Sequence, residues 1–230
     1  MIGVALSCAY AYRMLMPTNA DDFRPFHRIA VLETIDVVDS VRLEDLNRPT
    51  PCEGWTLVDL LAHMTVQHRG FASAARGFEA DEDIWRPESV VGSVTADPAG
   101  TYAAAARDVL EAFAADGTSE ATFALPDFGP GATFPGAVAM DFHFIDYVVH
   151  GWDVAATLGT PYALPDDVVA AALPLAMFVP DGDYRAIDGA PFGPAVEAAG
   201  TDDFERILRH LGRRPDWAQG YSTVSAVQTG

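Results

Sequence analysis

Between Asp21 and Val41 the apolar residues Phe26, Ile29, Leu32, Ile35 and Val38 return every third position, a repeat close enough to the helical period to predict an amphipathic helix. A turn-rich stretch, NRPTPCEGWT, follows. Thr56 then stands where a second helix would begin, with Asp59 in its first turn at the positive end of the dipole. That helix runs through LVDLLAHMTVQHRGFASAAR, and a third is expected in AGTYAAAARDVLEAFAA, ended by Gly117. The fourth extends from about Ala137 to Leu158, closed by Gly159 with Pro161 beyond it. Residues 77–98, acidic and broken by Pro87, Gly92 and Pro98, read as a long connection, and ATFALPDFGPGATFPG as a short hairpin or irregular crossover. Further helices are expected at 165–178 and 201–212. The pattern predicts an all-α fold: a four-helix bundle over residues 21–162, with a helical C-terminal tail, 163–230, packed on it.

Composition narrows what such a bundle can do. Its 230 residues suit one domain, half hydrophobic and a fifth charged, the balance of a soluble globular protein. The formal charge of -19 sets 33 acidic residues against 14 basic ones, and every basic residue is Arg. No clustered positive field is visible, which argues against a nucleic-acid partner, and the lack of Lys removes Schiff-base and lysine-base chemistry. Cys8 and Cys52 form no CxxC pattern, so neither a disulfide framework nor a thiolate zinc site is indicated, and a reducing cytoplasm is expected. The opening MIGVALSCAYAYRMLMPTNA is cut by Arg13 and Pro17, a poor secretory signal too short for a bilayer; residues 1–20 are expected to be an extension, with Met14 or Met16 as alternative starts. No membrane partner is expected.

The chemistry sits in the fourth helix. In DYVVHGWD, Asp146 and His150 are four residues apart and so share a face, with His143 and Asp153 three positions to either side, among Phe144, Ile145, Val148 and Val149. Buried polar groups of this kind need a partner or a cation. A divalent ion would satisfy them, with a third ligand from another helix, and His63 lies where the apolar face of helix 2 continues from Leu57, Leu60 and Leu61. His68 points about 140° away from His63 round the helix. An intrahelical hydrogen-bonded pair with no ion remains the alternative at this level. Two imidazoles and a carboxylate suit zinc, nickel, iron or manganese.

The motifs TPCEGWTLVDLLAHM and FHFIDYVVHGWDVAATLG resemble the DinB-like metal-binding helical bundles, in the branch related to the N-terminal domain of mycothiol-dependent maleylpyruvate isomerase. The elements that match are Pro51, Cys52 and Trp55, then Leu60 to His63, then Asp146 and His150 to Asp153; the ending PFGPAVEAAGTDDFERILRHLGRRPDW is also similar to a compact metal-binding subfamily. The resemblance implies His63, Asp146 and His150 as ligands of a divalent ion, zinc first. It implies activation of a low-molecular-weight thiol toward a small electrophile, as a transferase or isomerase. The isomerase usually has Glu where Asp146 stands, and it continues into a larger C-terminal domain.

Metal-dependent hydrolysis and a non-catalytic metal- or ligand-binding protein are the competing readings, and a metal-free polar network in a homodimer is a third. His143 and Asp153 are candidates for an outer shell around the ion. Cys52 is expected to be a packed small residue, Trp55 and Trp152 core anchors, and His27 and His210 surface residues. The run EADEDIWRPE is expected to be a solvated loop.

Overall fold

The computed structural model describes residues 22–78, 81–186, 190–197 and 202–217. The expected extension at 1–20 lies outside them. The helices are α1 (Arg24–Asp39), α2 (Leu57–Ala75), a short α3 (Val91–Ala96), α4 (Pro98–Ala114), α5 (Gly136–Leu158), α6 (Asp166–Phe178) and α7 (Asp203–His210). A two-stranded antiparallel hairpin, β1 (Thr122–Ala124) and β2 (Thr133–Pro135), pairs Phe123 with Phe134 between α4 and α5. The four long helices form the bundle in the spatial order α1, α4, α2, α5, so α2 and α5 are neighbours and α1 lies diagonally across from α2. Val31, Leu60, Leu61, Tyr102 and Tyr147, all fully buried, fill its centre. Each such aliphatic side chain contributes roughly 1.5–3 kcal/mol by leaving water.

Local chemistry sets the ends of these helices. Asp59 Oδ2 accepts from the Thr56 backbone N–H at 2.9 Å and from its hydroxyl at 2.5 Å, and Asp97 Oδ1 accepts from Gly100 N–H at 2.9 Å. Gly159, at φ 70°, closes α5 in the left-handed conformation, with its own N–H on Ala156 and that of Thr160 on Ala155.

Two expectations are corrected. The buried face of α1 is His27, Ala30, Val31, Thr34 and Val38, whereas Leu32 is 38% exposed. A strict three-residue repeat falls short of a full turn of 3.6 residues and drifts around the helix, so it cannot mark one face over the three or so turns from Phe26 to Val38. In the stretch expected to be a long connection, residues 81–98 are also more ordered than a loop: 3-10 turns at Glu82–Trp85 and Pro87–Ser89 lead into α3, and Val90 and Val94 are fully buried. Trp85, inside the acidic run, lays its ring over Gly70, where a Cβ would overlap it. The apolar residues of that run outweigh its charge locally, which leaves the carboxylates on the outside.

The C-terminal helices share a core with the bundle. α6 packs on α1 and α5, and α7 on α6. Phe144, Val148, Val168, Ala172 and Ile207 meet there. Buried Arg185 ties this segment together through the carbonyls of Val179 (2.9 Å), Pro180 (2.7 Å), Gly193 (3.2 Å) and His210. Among the described residues no helix is long and apolar enough to cross a membrane.

Candidate metal centre

α2 and α5 lie side by side, and their facing surfaces bring His63, Asp146 and His150 together, with one ligand atom of each within 4.8 Å of the others. His150 Nε2 is 3.3 Å from Asp146 Oδ1, His63 Nε2 is 4.0 Å from Asp146 Oδ2, and the two imidazole centroids are 5.3 Å apart. The side chains of His63 and Asp146 are each 24% exposed and that of His150 only 4%, so the group opens to solvent on one side and is anchored on the other.

Burial disfavours a charge on His150, but Asp146 and Asp153 outweigh it and hold the imidazolium well above its usual range. Burial likewise raises Asp146, yet His150 and His63 bring it below the ordinary carboxylate value. His63, by contrast, is lowered to about 4 by burial, against the pull of Asp146. The group thus combines one neutral imidazole, one carboxylate and one imidazolium. Asp153 Oδ2 accepts from His150 Nδ1 at 2.8 Å, which leaves Nε2, on the Asp146 side, as the nitrogen that could ligate an ion held by these three residues.

Asp153 is fully buried beneath His150 and is held by a residue from beyond α7. Arg213 directs Nε to Oδ1 at 3.1 Å and Nη2 to Oδ2 at 2.8 Å. Burial raises Asp153, but Arg213 and His150 more than reverse this and hold its carboxyl far below the usual range. Cys52, in the turn before α2, joins this group: its thiol donates to Asp153 Oδ2 at 3.3 Å and accepts from Arg213 Nη2 at 3.2 Å. Cys52 is therefore a polar member of the support beneath His150 as well as a packed small residue. Asp153 thus stands directly behind His150.

His143 does not. Its Nδ1 lies 2.8 Å from His27 Nε2 and its Nε2 lies 3.2 Å from His68 Nδ1, so three rings from α1, α5 and α2 form a chain deep in the bundle. His68 and His143 both stack on Tyr147, at 4.0 and 4.2 Å between centroids. His27, expected at the surface, is 2% exposed. Burial holds it neutral down to about 3, and His68 and His143 are pushed well below their usual value for the same reason, reinforced by repulsion from His27. The four polar groups read as one stripe on α5 thus divide, Asp146, His150 and Asp153 on one side and His143 on the other.

The remaining expectations fall as follows. Trp55 is 36% exposed, with its ring 5.0 Å from that of His63, so it flanks the opening instead of anchoring the core. Trp152 is partly buried against the α5–α6 core. A Cβ at Gly151 would fall on the Tyr162 hydroxyl and within 2.9 Å of Thr34 Cγ2, so the glycine lets these two side chains pack directly on α5. His210 is half-buried and bonded to the Val179 carbonyl at 2.8 Å. Finally, the hairpin roofs the gap between α2 and α5. Asp127 accepts from Gln67, one turn beyond His63, at 2.6 Å, and Phe128 stacks on Phe142, one turn before Asp146, at 5.0 Å.

A helical bundle with two histidines and a carboxylate converging between adjacent helices defines a class, the DinB-like bundles, and comparison places the chain within it. The sequence profile of the mycothiol maleylpyruvate isomerase N-terminal domain matches residues 28–155, and the chain belongs to that family. Uncharacterized proteins from two strains of Mycobacterium tuberculosis are each 31% identical over 153 residues, 66% of this chain and 76% of theirs. The crystal structure of the mycothiol-dependent maleylpyruvate isomerase superposes with a TM-score of 0.53 at 14% identity, over 67% of this chain and 66% of that one. That likeness is one of fold. About a third of the solved chain has no counterpart in the superposition.

Proposed function

We propose that the chain is a divalent-metal-binding protein, zinc being the first candidate, that uses the ion to activate a low-molecular-weight thiol toward a small electrophile, as a thiol transferase or isomerase. The observation that carries this reading is the convergence of His63, Asp146 and His150 within 4.8 Å, with His150 Nδ1 already engaged by Asp153. A divalent ion held there would supply a Lewis acid that lowers the pKa of a thiol at neutral pH. The chain's own residues supply the rest. His150 and Asp153 fix the buried side of the site, and the partly exposed edges of His63 and Asp146 leave an approach from solvent. Trp55 offers an apolar wall beside His63. The mycothiol-type thiol is suggested by the family, and Cys52, the one cysteine among the described residues, is free, in keeping with a reducing compartment.

Elemental analysis of the purified protein tests the first step. About one equivalent of metal in wild type, lost in His150→Ala, is expected; less than a tenth of an equivalent in both overturns the reading. Thiol consumption against a panel of electrophiles, with His63→Ala as control, tests the second. Ester or amide hydrolysis without thiol consumption would assign the ion to water activation instead, and a loaded protein inert in both assays would be a binding protein.

A further inference from the structure

Arg213 lies outside the residues that match the family profile, yet it is built into the floor of the candidate site. It is 6% exposed, and its guanidinium makes contact with three parts of the chain at once. Toward α5, Nε meets Asp153 Oδ1 at 3.1 Å and Oδ2 at 3.2 Å, while Nη2 meets Oδ2 at 2.8 Å, the two-pronged arrangement that holds a carboxylate against rotation. Toward the turn before α2, Nη2 reaches Cys52 Sγ at 3.2 Å. Toward its own segment, Nη1 donates to the Leu211 carbonyl at 3.0 Å, and the guanidinium carbon lies 5.9 Å from the centroid of the buried Phe192 ring. The carboxylate it fixes is the one that accepts from His150 Nδ1.

From this arrangement we infer that Arg213 is a positioning residue for the metal centre, and that docking of the C-terminal segment and binding of the ion are coupled through Arg213, Asp153 and His150. This rests on the metal reading above. The argument is geometric. A pinned Asp153 sets both the plane of the His150 ring and the side on which it carries its N–H, and such supports change metal affinity by about 10–100-fold when removed. Because the pin belongs to the C-terminal segment, undocking that segment releases it. Coupling is reciprocal, so an ion that prefers the oriented imidazole must in turn favour the docked segment.

The experiment uses the full-length chain, with Zn²⁺ affinity measured by competition against a chromogenic chelator and Co²⁺ absorption as the report on coordination. Arg213→Met is expected to weaken Zn²⁺ binding by about 10–100-fold and to change the Co²⁺ spectrum. Arg213→Lys, which keeps the charge but not the fork, should fall between. Phe192→Ala removes the ring beside the guanidinium, loosens the segment, and should also weaken binding. In wild type, Zn²⁺ should slow hydrogen exchange in residues 202–217, and in Arg213→Met it should not. Unchanged affinity in folded Arg213→Met, or, should that variant not fold, in both Arg213→Lys and Phe192→Ala, overturns the coupling alone, as does exchange in 202–217 that is indifferent to Zn²⁺. A wild type that binds neither ion overturns the metal reading and this inference together.

Discussion

The chain of buried histidines makes stability unusually sensitive to mild acid. His27, His68 and His143 all have pKa values lowered by burial, His27 to about 3. The unfolded chain takes up these protons below the ordinary histidine value near 6.5 while the folded chain refuses them. The unfolded state therefore binds more protons, and stability falls as pH falls through this window. Each histidine contributes at most about 1.4 kcal/mol per pH unit, so at pH 5, about 1.5 units below the unfolded value, the three together remove at most about 6 kcal/mol. In metal-free protein His63, lowered to about 4, adds a fourth contribution of the same sign. Asp141 offsets about one of them: burial raises it to about 7, so the folded state gains its proton over the same range. A loss of about 6 kcal/mol is comparable with the whole stability of many domains, about 5–15 kcal/mol. Urea denaturation followed by circular dichroism, with chelator present, should show the midpoint falling steeply between pH 7 and pH 5. In His143→Leu the slope should drop by about a third, whatever the cost at neutral pH of leaving His27 Nε2 and His68 Nδ1 without their partner. A wild-type midpoint that is flat over this range, or an identical slope in the variant, would refute the reasoning.

Other outcomes follow from single contacts. Asp141→Asn removes a carboxylate whose ionised form is disfavoured by burial, so it should stabilise by about 1–3 kcal/mol at pH 8 and by less at pH 5, where the folded wild-type group is protonated and only the unfolded chain is ionised; equal gains at both pH values in urea melts would contradict this. Gly151→Ala would drive a methyl into the Tyr162 hydroxyl and Thr34, and a loss of about 1–3 kcal/mol is expected in thermal unfolding. Thr56→Ala removes the hydroxyl that donates to Asp59 at the start of α2 and should cost about 1 kcal/mol while leaving metal content unchanged; lost metal would show that this cap also sets the position of His63.

The long helices were legible because their signals are local: caps at Thr56, the glycine stop at Gly159, and apolar runs long enough to fix the element type. Asp146 with His150 was legible for the same reason, since a four-residue spacing on a helix is a statement about neighbours in space. His63 was legible from its place on the apolar face that Leu57, Leu60 and Leu61 lay out along α2, and the resemblance pointed to the same residue. What stayed hidden depends on contacts that join distant parts of the chain. Arg213 is 161 positions from Cys52 and 60 from Asp153, yet one signal pointed to it. A carboxylate placed on the apolar side of α5 needs a cation, and a chain with only 14 basic residues offers few. His27 was misread because an imidazole among charged neighbours looks exposed, and its burial is set by His143, 116 residues away.

The hairpin that touches both α2 and α5 has a consequence for how this bundle can change. Through Asp127 it grips α2 one turn from His63, and through Phe128 it grips α5 one turn from Asp146. It thereby acts as a spacer, setting how far apart the helices that carry His63 and Asp146 stand. Lengthening or shortening the four positions between Asp127 and Ala132 would alter how far His63 stands from Asp146 and His150, while those three side chains stayed the same. The geometry of the group can thus evolve in a loop that supplies none of its residues.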